Sequence, residues 1–376
     1  MSRWPELPLV DVARLTRGTE PGSASYTDAS RGVPFLRVGD LTGKTDNPVY
    51  TDSAQIVRVG ASDLLLTLDG SPGCVSSGHE GAISSGLRKV EPLDPDMLSL
   101  SWLRYSLMSP AVQETIRRHT TGVTILHASA AVPHIRIPVP PVPEQERIVR
   151  ILDRAEALRR FRAQADERTR ALEAALFGEL FGDAQEDWPR EKFGNVGSLD
   201  RGRSQFRPRD EPALFGGPYP FIQTGDVANS SGRITRFTQT YSERGLAQSR
   251  LWPAGTLCIT IAANIAKTGV LAFDACFPDS VVGFTPDDRV MVEYVQSWLR
   301  TIQKALEGDA PQAAQKNINL KTLRDLDLIV PPLALQRTFA RRVAEIRELQ
   351  SAQAAIRQRL DDVFQSLLHR AFLGEL

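Results

Sequence analysis

A chain of 376 residues, 41% hydrophobic and 24% charged, has room for two core-bearing domains and is not a disordered, collagenous or disulfide-built protein. Lys plus Arg and Asp plus Glu each number 45, so the chain as a whole has no electrostatic pull on polyanions or anionic lipid, and any such partner must be held by local patches. Cys74, Cys258 and Cys276 show no CxxC or Cys/His spacing, which predicts no structural metal site and fits a reducing cytoplasm. Met1-Ser2-Arg3-Trp4-Pro5-Glu6 opens without an apolar run, and no stretch approaches the roughly 18 uncharged apolar residues of a membrane span. We therefore expect a cytoplasmic protein with no membrane partner.

In chain order, residues 1–141 carry short β-rich runs over 33–38 and 63–68, a helical patch near 98–108 holding Trp102-Leu103-Arg104, and a proline stop at Pro140-Pro141. Residues 142–183 follow as one long helix. Ile148, Ile151/Leu152, Ala155, Leu158, Ala165, Leu172 and Leu176 recur at three- and four-residue steps, with no Gly or Pro between Pro143 and Gly178. Residues 184–332 repeat the first pattern, with β-rich runs at 256–261 and 327–330, a helical patch over 290–305 holding Trp298-Leu299-Arg300, and a stop at Pro331-Pro332. Residues 333–376 form a second long helix seamed by Phe339, Val343, Ile346, Leu349, Ile356, Leu360, Val363 and Leu367.

These segments are a tandem duplication. Trp4-Pro5 recurs as Trp188-Pro189, and Leu15-Thr16-Arg17-Gly18 as Leu199-Asp200-Arg201-Gly202, both 184 positions on. Pro34-Phe35 with Gly39-Asp40 returns as Pro220-Phe221 with Gly225-Asp226, and the two helices match at an offset of 191. The expected fold is α+β: two α+β domains alternating with two long helices, which pack as an antiparallel coiled coil. Continuing the heptads puts Arg162 and Gln353 on the seam, 191 apart, where a polar pair sets helix register at some cost in stability. A helix of this length spans roughly 55 Å, a scale that suits two reading heads on a duplex with recurring half-sites.

The ordered motifs resemble one family. Pro34-Phe35-Leu36-Arg37-Val38-Gly39-Asp40, its copy Pro220-Phe221-Ile222-Gln223-Thr224-Gly225-Asp226, the run from Ile137 to Gln145, and the C-terminal segment from Ser366 to Leu376 together look like the DNA-specificity subunit of a type I restriction-modification system. The resemblance covers nearly the whole chain. It implies a non-catalytic subunit without cofactor that recognises an asymmetric bipartite site in double-stranded DNA, binds two methyltransferase subunits, and leaves restriction subunits open as further partners. Two departures stand: the chain is short for the family, and Gln336 lacks the Glu that precedes Gln145.

Residues 1–141 hold 13 basic and 14 acidic side chains and residues 183–332 hold 17 and 18, so neither recognition domain is basic. Local clusters must decide. The densest is Arg201, Arg203, Arg207 and Arg209 with Gln205, in which Arg suits phosphate or guanine and Gln suits adenine. Arg17 is the counterpart of Arg201. The resemblance adds two loops per copy: the turns holding Ser71 and, in the second copy, Asn264 and Lys267; then the segments holding Thr124 and, in the second copy, Lys316, Asn317 and Asn319.

Enzyme chemistry finds no support in the residues. Gly39 to Thr45 has three residues between its glycines where a phosphate loop needs four, and the Pro-Pro pairs lack the Asn/Asp and aromatic flanks of a methyltransferase turn. The histidines show neither metal spacing nor a nucleophile partner. The competing class is a duplicated coiled-coil adaptor that joins proteins without reading DNA.

Overall fold

The computed structural model describes residues 3–45, 47–182, 188–206, 208, 210–262, 265–308 and 318–376. It contains two compact units: Met1–Ala163 with Ala355–Leu376, and Gln164–Ala354. Each long helix thus contributes one half to each unit.

In the first unit an antiparallel sheet runs in the order Ala13–Arg17, Leu87–Pro92, Leu64–Thr67, Val75–Ser76. The central strand Leu64–Thr67 is buried along its length, and Leu64 and Leu66 pack with Trp102, Tyr105, Val112 and Ile116 from the helices Leu100–Met108 and Pro110–Arg118. The second of these helices is absent from the expectation above, which places a single helical patch here. Its start carries the usual signals, with Pro110 in the first turn and Ser109 Oγ accepting from Val112 N–H at 3.4 Å. A further sheet joins Tyr26–Thr27, Tyr50–Thr51, Val33–Leu36, Gly81–Ile83 and Arg58–Val59.

The second unit repeats the first sheet strand for strand as Gly197–Arg201, Val281–Pro286, Leu257–Thr260, Thr268–Leu271, then adds Arg233–Ile234 in parallel at the edge. In both units a two-stranded ribbon closes the domain: Glu6–Pro8 with Arg136–Pro138, and Arg190–Lys192 with Asp327–Ile329.

The duplicated motifs have duplicated structural causes. A Cβ at Gly18 would collide with the carbonyl of Ser84, and one at Gly202 with that of Phe277, so the repeated Arg-Gly marks a close backbone crossing. Asp40 Oδ2 accepts from Arg37 N–H at 2.7 Å and Asp226 Oδ2 from Gln223 N–H at 2.8 Å. The repeated Gly-Asp therefore starts the short helices Val38–Thr42 and Thr224–Ala228 by satisfying a donor that the helix itself leaves open. In the repeated Trp-Leu-Arg, each Arg reaches a long helix: Arg104 binds Glu156 through bonds of 2.7 and 2.5 Å, and Arg300 binds Glu173 at 2.6 Å.

The long helices run Val142–Phe181 and Leu333–Leu373. Each is pinned at its start by one glutamine with no solvent exposure. Gln145 accepts from Ser99 N–H at 3.0 Å and donates to the carbonyls of Met97 at 2.8 Å and Pro140 at 2.9 Å. Gln336 accepts from Met291 N–H at 2.8 Å and donates to Arg289 at 3.1 Å and Pro331 at 2.8 Å.

Within each unit the helix halves pack antiparallel. In the first, Arg147 reaches the Leu376 carbonyl and Arg159 pairs with Asp361 at 2.6 Å. In the second, Thr169 accepts from Gln353 at 3.0 Å, while Phe177 and Phe181 stack edge-on against Phe339.

The heptad seam needs correction. Leu158, Leu172, Leu349, Ile356 and Val363, expected on it, are exposed. The inward-facing row on the first helix instead runs Gln145, Ile148, Leu152, Ala155, Arg159, Arg162, Asp166, Thr169, Glu173, Leu176, Leu180, in alternating steps of three and four residues. The heptad period therefore holds: the column of Ile148, Ala155, Arg162, Thr169 and Leu176 is the expected one, and the other column falls one residue after Leu158, Ala165 and Leu172, at Arg159, Asp166 and Glu173, polar residues that an apolar pattern does not mark.

We expect Gln145→Leu and Gln336→Leu each to destabilise its own unit by about 2–4 kcal/mol, because a similar volume is kept while a buried N–H and two carbonyls lose their partner. Urea unfolding of each variant checks this, and a loss under about 1 kcal/mol would mean water replaces the amide.

Candidate nucleic-acid interface

In the first unit the chain leaves the buried strand Leu64–Thr67 and turns within six residues. Thr67 holds the turn: its Oγ1 donates to the Ser71 carbonyl at 2.5 Å and accepts from Cys74 N–H at 2.9 Å. Gly70 and Gly73 adopt φ of 74° and 94°, a region that glycine enters without steric cost. Gln113 Nε2 donates to the Gly73 carbonyl at 2.9 Å and fixes the far side of the turn.

A second loop is stitched to this turn. Thr121 and His127 exchange both backbone hydrogen bonds, at 2.9 and 2.8 Å, and so close the segment between them into a small hairpin. Gly70 N–H donates to the Leu126 carbonyl at 2.8 Å, and His127 Nδ1 lies 2.7 Å from Asp69 Oδ1. Arg88, nearly buried, binds the carbonyl of Ser85 and the hydroxyl of Ser129 and lies 3.6 Å from Asp69 Oδ2. Lys44 Nζ donates to Ser71 Oγ at 3.2 Å from the neighbouring loop. Ser71 and the exposed Thr124 thus lie on two loops that the fold joins into one rigid projection. Arg17, at the end of its strand, donates from Nε to the Ser85 carbonyl at 3.2 Å and lines a separate groove with Glu20, Ser53 and Gln55.

In the second unit Arg201, Arg203 and Gln205 are exposed while Gly202 and Ser204 between them are buried, so the alternation puts the three polar side chains on one side. The segment is held by other groups: Gln248 Oε1 accepts from the N–H of Gln205 at 2.6 Å and of Phe206 at 2.9 Å, and Ser249 Oγ donates to the Arg203 carbonyl at 2.8 Å. Arg244, which the sequence pattern does not single out, sits 4.9 Å from the centre of the Phe206 ring.

Lys267 is half-buried, and its backbone closes the second unit's turn against Thr260 just as Cys74 does against Thr67. Asn319 Oδ1 accepts from Thr322 N–H at 2.8 Å, so this carbonyl is committed to capping the helix Leu320–Arg324. Arg207, Arg209, Asn264, Lys316 and Asn317 lie outside the described residues. Of the register pair, Gln353 is buried and bonded to Thr169, one heptad beyond Arg162; Arg162 itself is half-buried.

No pattern in the sequence marks the Asp69–His127 pair or the Gln248 anchor, since each partner lies more than 40 positions away. Among the described residues no three His, Cys, Asp or Glu side chains converge as metal ligands, and no helix is long and apolar enough to cross a membrane.

A family model described as the type I restriction modification DNA specificity domain matches residues 1–165 and 185–361. The EcoBI specificity subunit of Escherichia coli, a type I restriction enzyme component, is 23% identical over 433 aligned positions that cover 99% of this chain and 86% of that protein. The HindI specificity subunit of Haemophilus influenzae is 24% identical over 194 positions, 50% of this chain and 42% of that one. Among solved structures, the S subunit of the type I system from M. genitalium aligns with a TM-score of 0.57 at 17% identity over 99% of this chain and 96% of that one. A chain from a study of type I R-M complex assembly and conformational transition aligns at 0.60 and 18% over 99% and 98%. These structural likenesses show a shared fold.

Gly122, at φ 103°, has no room for a side chain, because a Cβ would collide with the Ile125 carbonyl. Gly122→Ala should open the hairpin. Amide exchange at Gly70, Thr121 and His127 is expected to accelerate while exchange in the central strand Leu64–Thr67 is unchanged; unchanged exchange at His127 would contradict the hairpin's closure.

Proposed function

We infer the function from membership: the chain belongs to the type I restriction-modification DNA specificity family, and it is the specificity subunit of such a system. Each unit reads one half of an asymmetric, bipartite duplex site. The observation that carries this reading is that the two units repeat one scaffold, strand order and glutamine anchor included, yet set different residues on the loops that follow the same strands. A scaffold kept and loops varied is how one fold comes to recognise two different targets. The adaptor reading, in which the duplication joins proteins without reading DNA, gains no support.

In the first unit the reading surface is the joined projection of residues 69–73 and 121–127, with Ser71, Thr124 and Lys44 as its polar members and Arg17 beside it. In the second it is Arg201, Arg203 and Gln205 with Arg207 and Arg209, together with Asn264, Lys267, Lys316, Asn317 and Asn319. The near-neutral charge of both segments makes the isolated chain a weak binder, with most phosphate neutralisation supplied by partner subunits.

Two methyltransferase subunits are the proposed partners, and restriction subunits join them where cleavage accompanies methylation. The exposed apolar side chains of the helices, Leu158, Phe161, Ile356 and Val363 in the first unit and Leu172 and Leu349 in the second, supply hydrophobic contact of the kind such docking uses. Chemistry on DNA belongs to those partners, and this chain contributes none. The site of action is the cytoplasm, where the DNA is. Arg162 and Gln353 are the proposed register positions of the seam, Gln353 through its bond to Thr169.

Exchanging residues 184–332 for the same segment of a relative should change one half of the methylated site and leave the other half and its methylation intact, as read by methylome sequencing. A change in both halves contradicts one-unit-one-half reading. In the assembled complex, removing Arg203 and Arg207 should lower the salt dependence of binding by about one unit of slope for each phosphate no longer neutralised, or relax one base position by about 1–3 kcal/mol if the pair reads guanine. Affinities for the site and its single-base variants at two salt concentrations separate these outcomes, and unchanged binding throughout removes both residues from the interface.

A further inference from the structure

Between Thr120 and Ile135 the chain contains no Lys, Arg, Asp or Glu. Yet the middle of this stretch is its most exposed part: Val123 is 100% exposed, Ile125 56% and Leu126 38%. Three aliphatic side chains in water cost hydrophobic free energy, which a fold tolerates most readily where a partner will cover them. Leu126 is partly accounted for, since it lines a groove with Pro72 and Ile116. Val123 and Ile125 are not.

The tip is rigid enough to read. Thr121 and His127 lock its base in both directions, Leu126 is tied to Gly70, and His127 is held by Asp69. A contact to phosphate needs a cation or an array of donors, and this tip presents neither beyond its backbone and the Thr124 hydroxyl. The cation beside the projection, Lys44, reaches Ser71 from a neighbouring loop rather than from the tip. Apolar tip and polar flank therefore divide the work, the flank facing the backbone and the tip facing base edges. In the major groove the one apolar group that base edges display is the C5-methyl of thymine.

We propose that Val123 and Ile125 are specificity-determining residues of the first unit, packing against thymine methyl groups in the major groove of its half-site. This rests on the reading of that unit as a duplex reader. It assigns the first half-site at least one thymine whose methyl group, and not only its hydrogen-bonding edge, is recognised.

The test uses the assembled complex with its methyltransferase subunits and duplexes carrying the site found by methylome sequencing. Each dT of the first half is replaced singly by dU, which removes only the methyl group, and affinity is measured by fluorescence anisotropy. At one or two positions dU should bind about fourfold more weakly, the effect of one buried carbon. Val123→Ser and Ile125→Ser, both at exposed positions that the core does not need, should weaken the dT duplex to a similar extent and abolish the dT/dU difference. Equal affinity for dT and dU throughout the first half, or a dT/dU difference that persists in both variants, overturns the proposal while the site preference stands. A complex with no preference for its site over a scrambled duplex overturns the duplex reading itself, and the proposal with it.

Discussion

Gln145 and Gln336 hold the structure to its plan. Each sits where a strand has stopped at a proline and a helix of some forty residues is about to begin, and each spends one amide on a donor and two acceptors of its own unit. Glutamine suits this because its side chain offers donor and acceptor together and carries no charge to desolvate. A buried amide satisfied on both ends is directional, whereas apolar contact is not, so the anchor orients the helix as well as attaching it. Contacts further along each helix within the same unit follow from that orientation, as Glu156 meets Arg104 in the first and Arg347 meets Gln296 in the second.

The same division between fixed and variable positions runs through both copies. Residues repeated between them are those the backbone requires, with Gly18 and Gly202 at backbone crossings, Asp40 and Asp226 at helix starts, and Thr67 and Thr260 closing the turn after the central strand. Where the copies differ, the structure asks little of the side chain. Gly73 and Ala266 both occupy the left-handed region, so even there the backbone is kept while the residue changes. The positions at which the copies differ are those that folding leaves open.

The middle of the helix pair is polar for a related reason. Apolar packing is concentrated near the ends, where Ile148, Leu152, Phe364 and Leu368 join the core of one unit and Leu176, Phe339 and Val343 that of the other. Between these ends contact is made by Arg159 with Asp361 in the first unit and Thr169 with Gln353 in the second. Polar contacts of this kind add little stability, but they penalise a shifted register, because a slip would leave buried groups unpaired.

Sequence alone determined the duplication, the places where the two long helices begin, the α+β character of what lies between them, and the family, because periodicity, proline stops and ordered repeats are properties of the linear chain. It marked the two loops of the first unit but not that they meet. Asp69 and His127 are 58 positions apart, and only the strand order brings them to 2.7 Å. Likewise the composition of the helices showed that they are seamed but not which row is buried. The heptad period was legible, but one of its columns is held largely by polar side chains, Arg159 on Asp361 and Glu173 on Arg300 among them, so the apolar Leu158, Leu172, Leu349, Ile356 and Val363, each one residue before that column, face outward. Only the tertiary structure decided these points, because each depends on where a partner distant in sequence comes to lie.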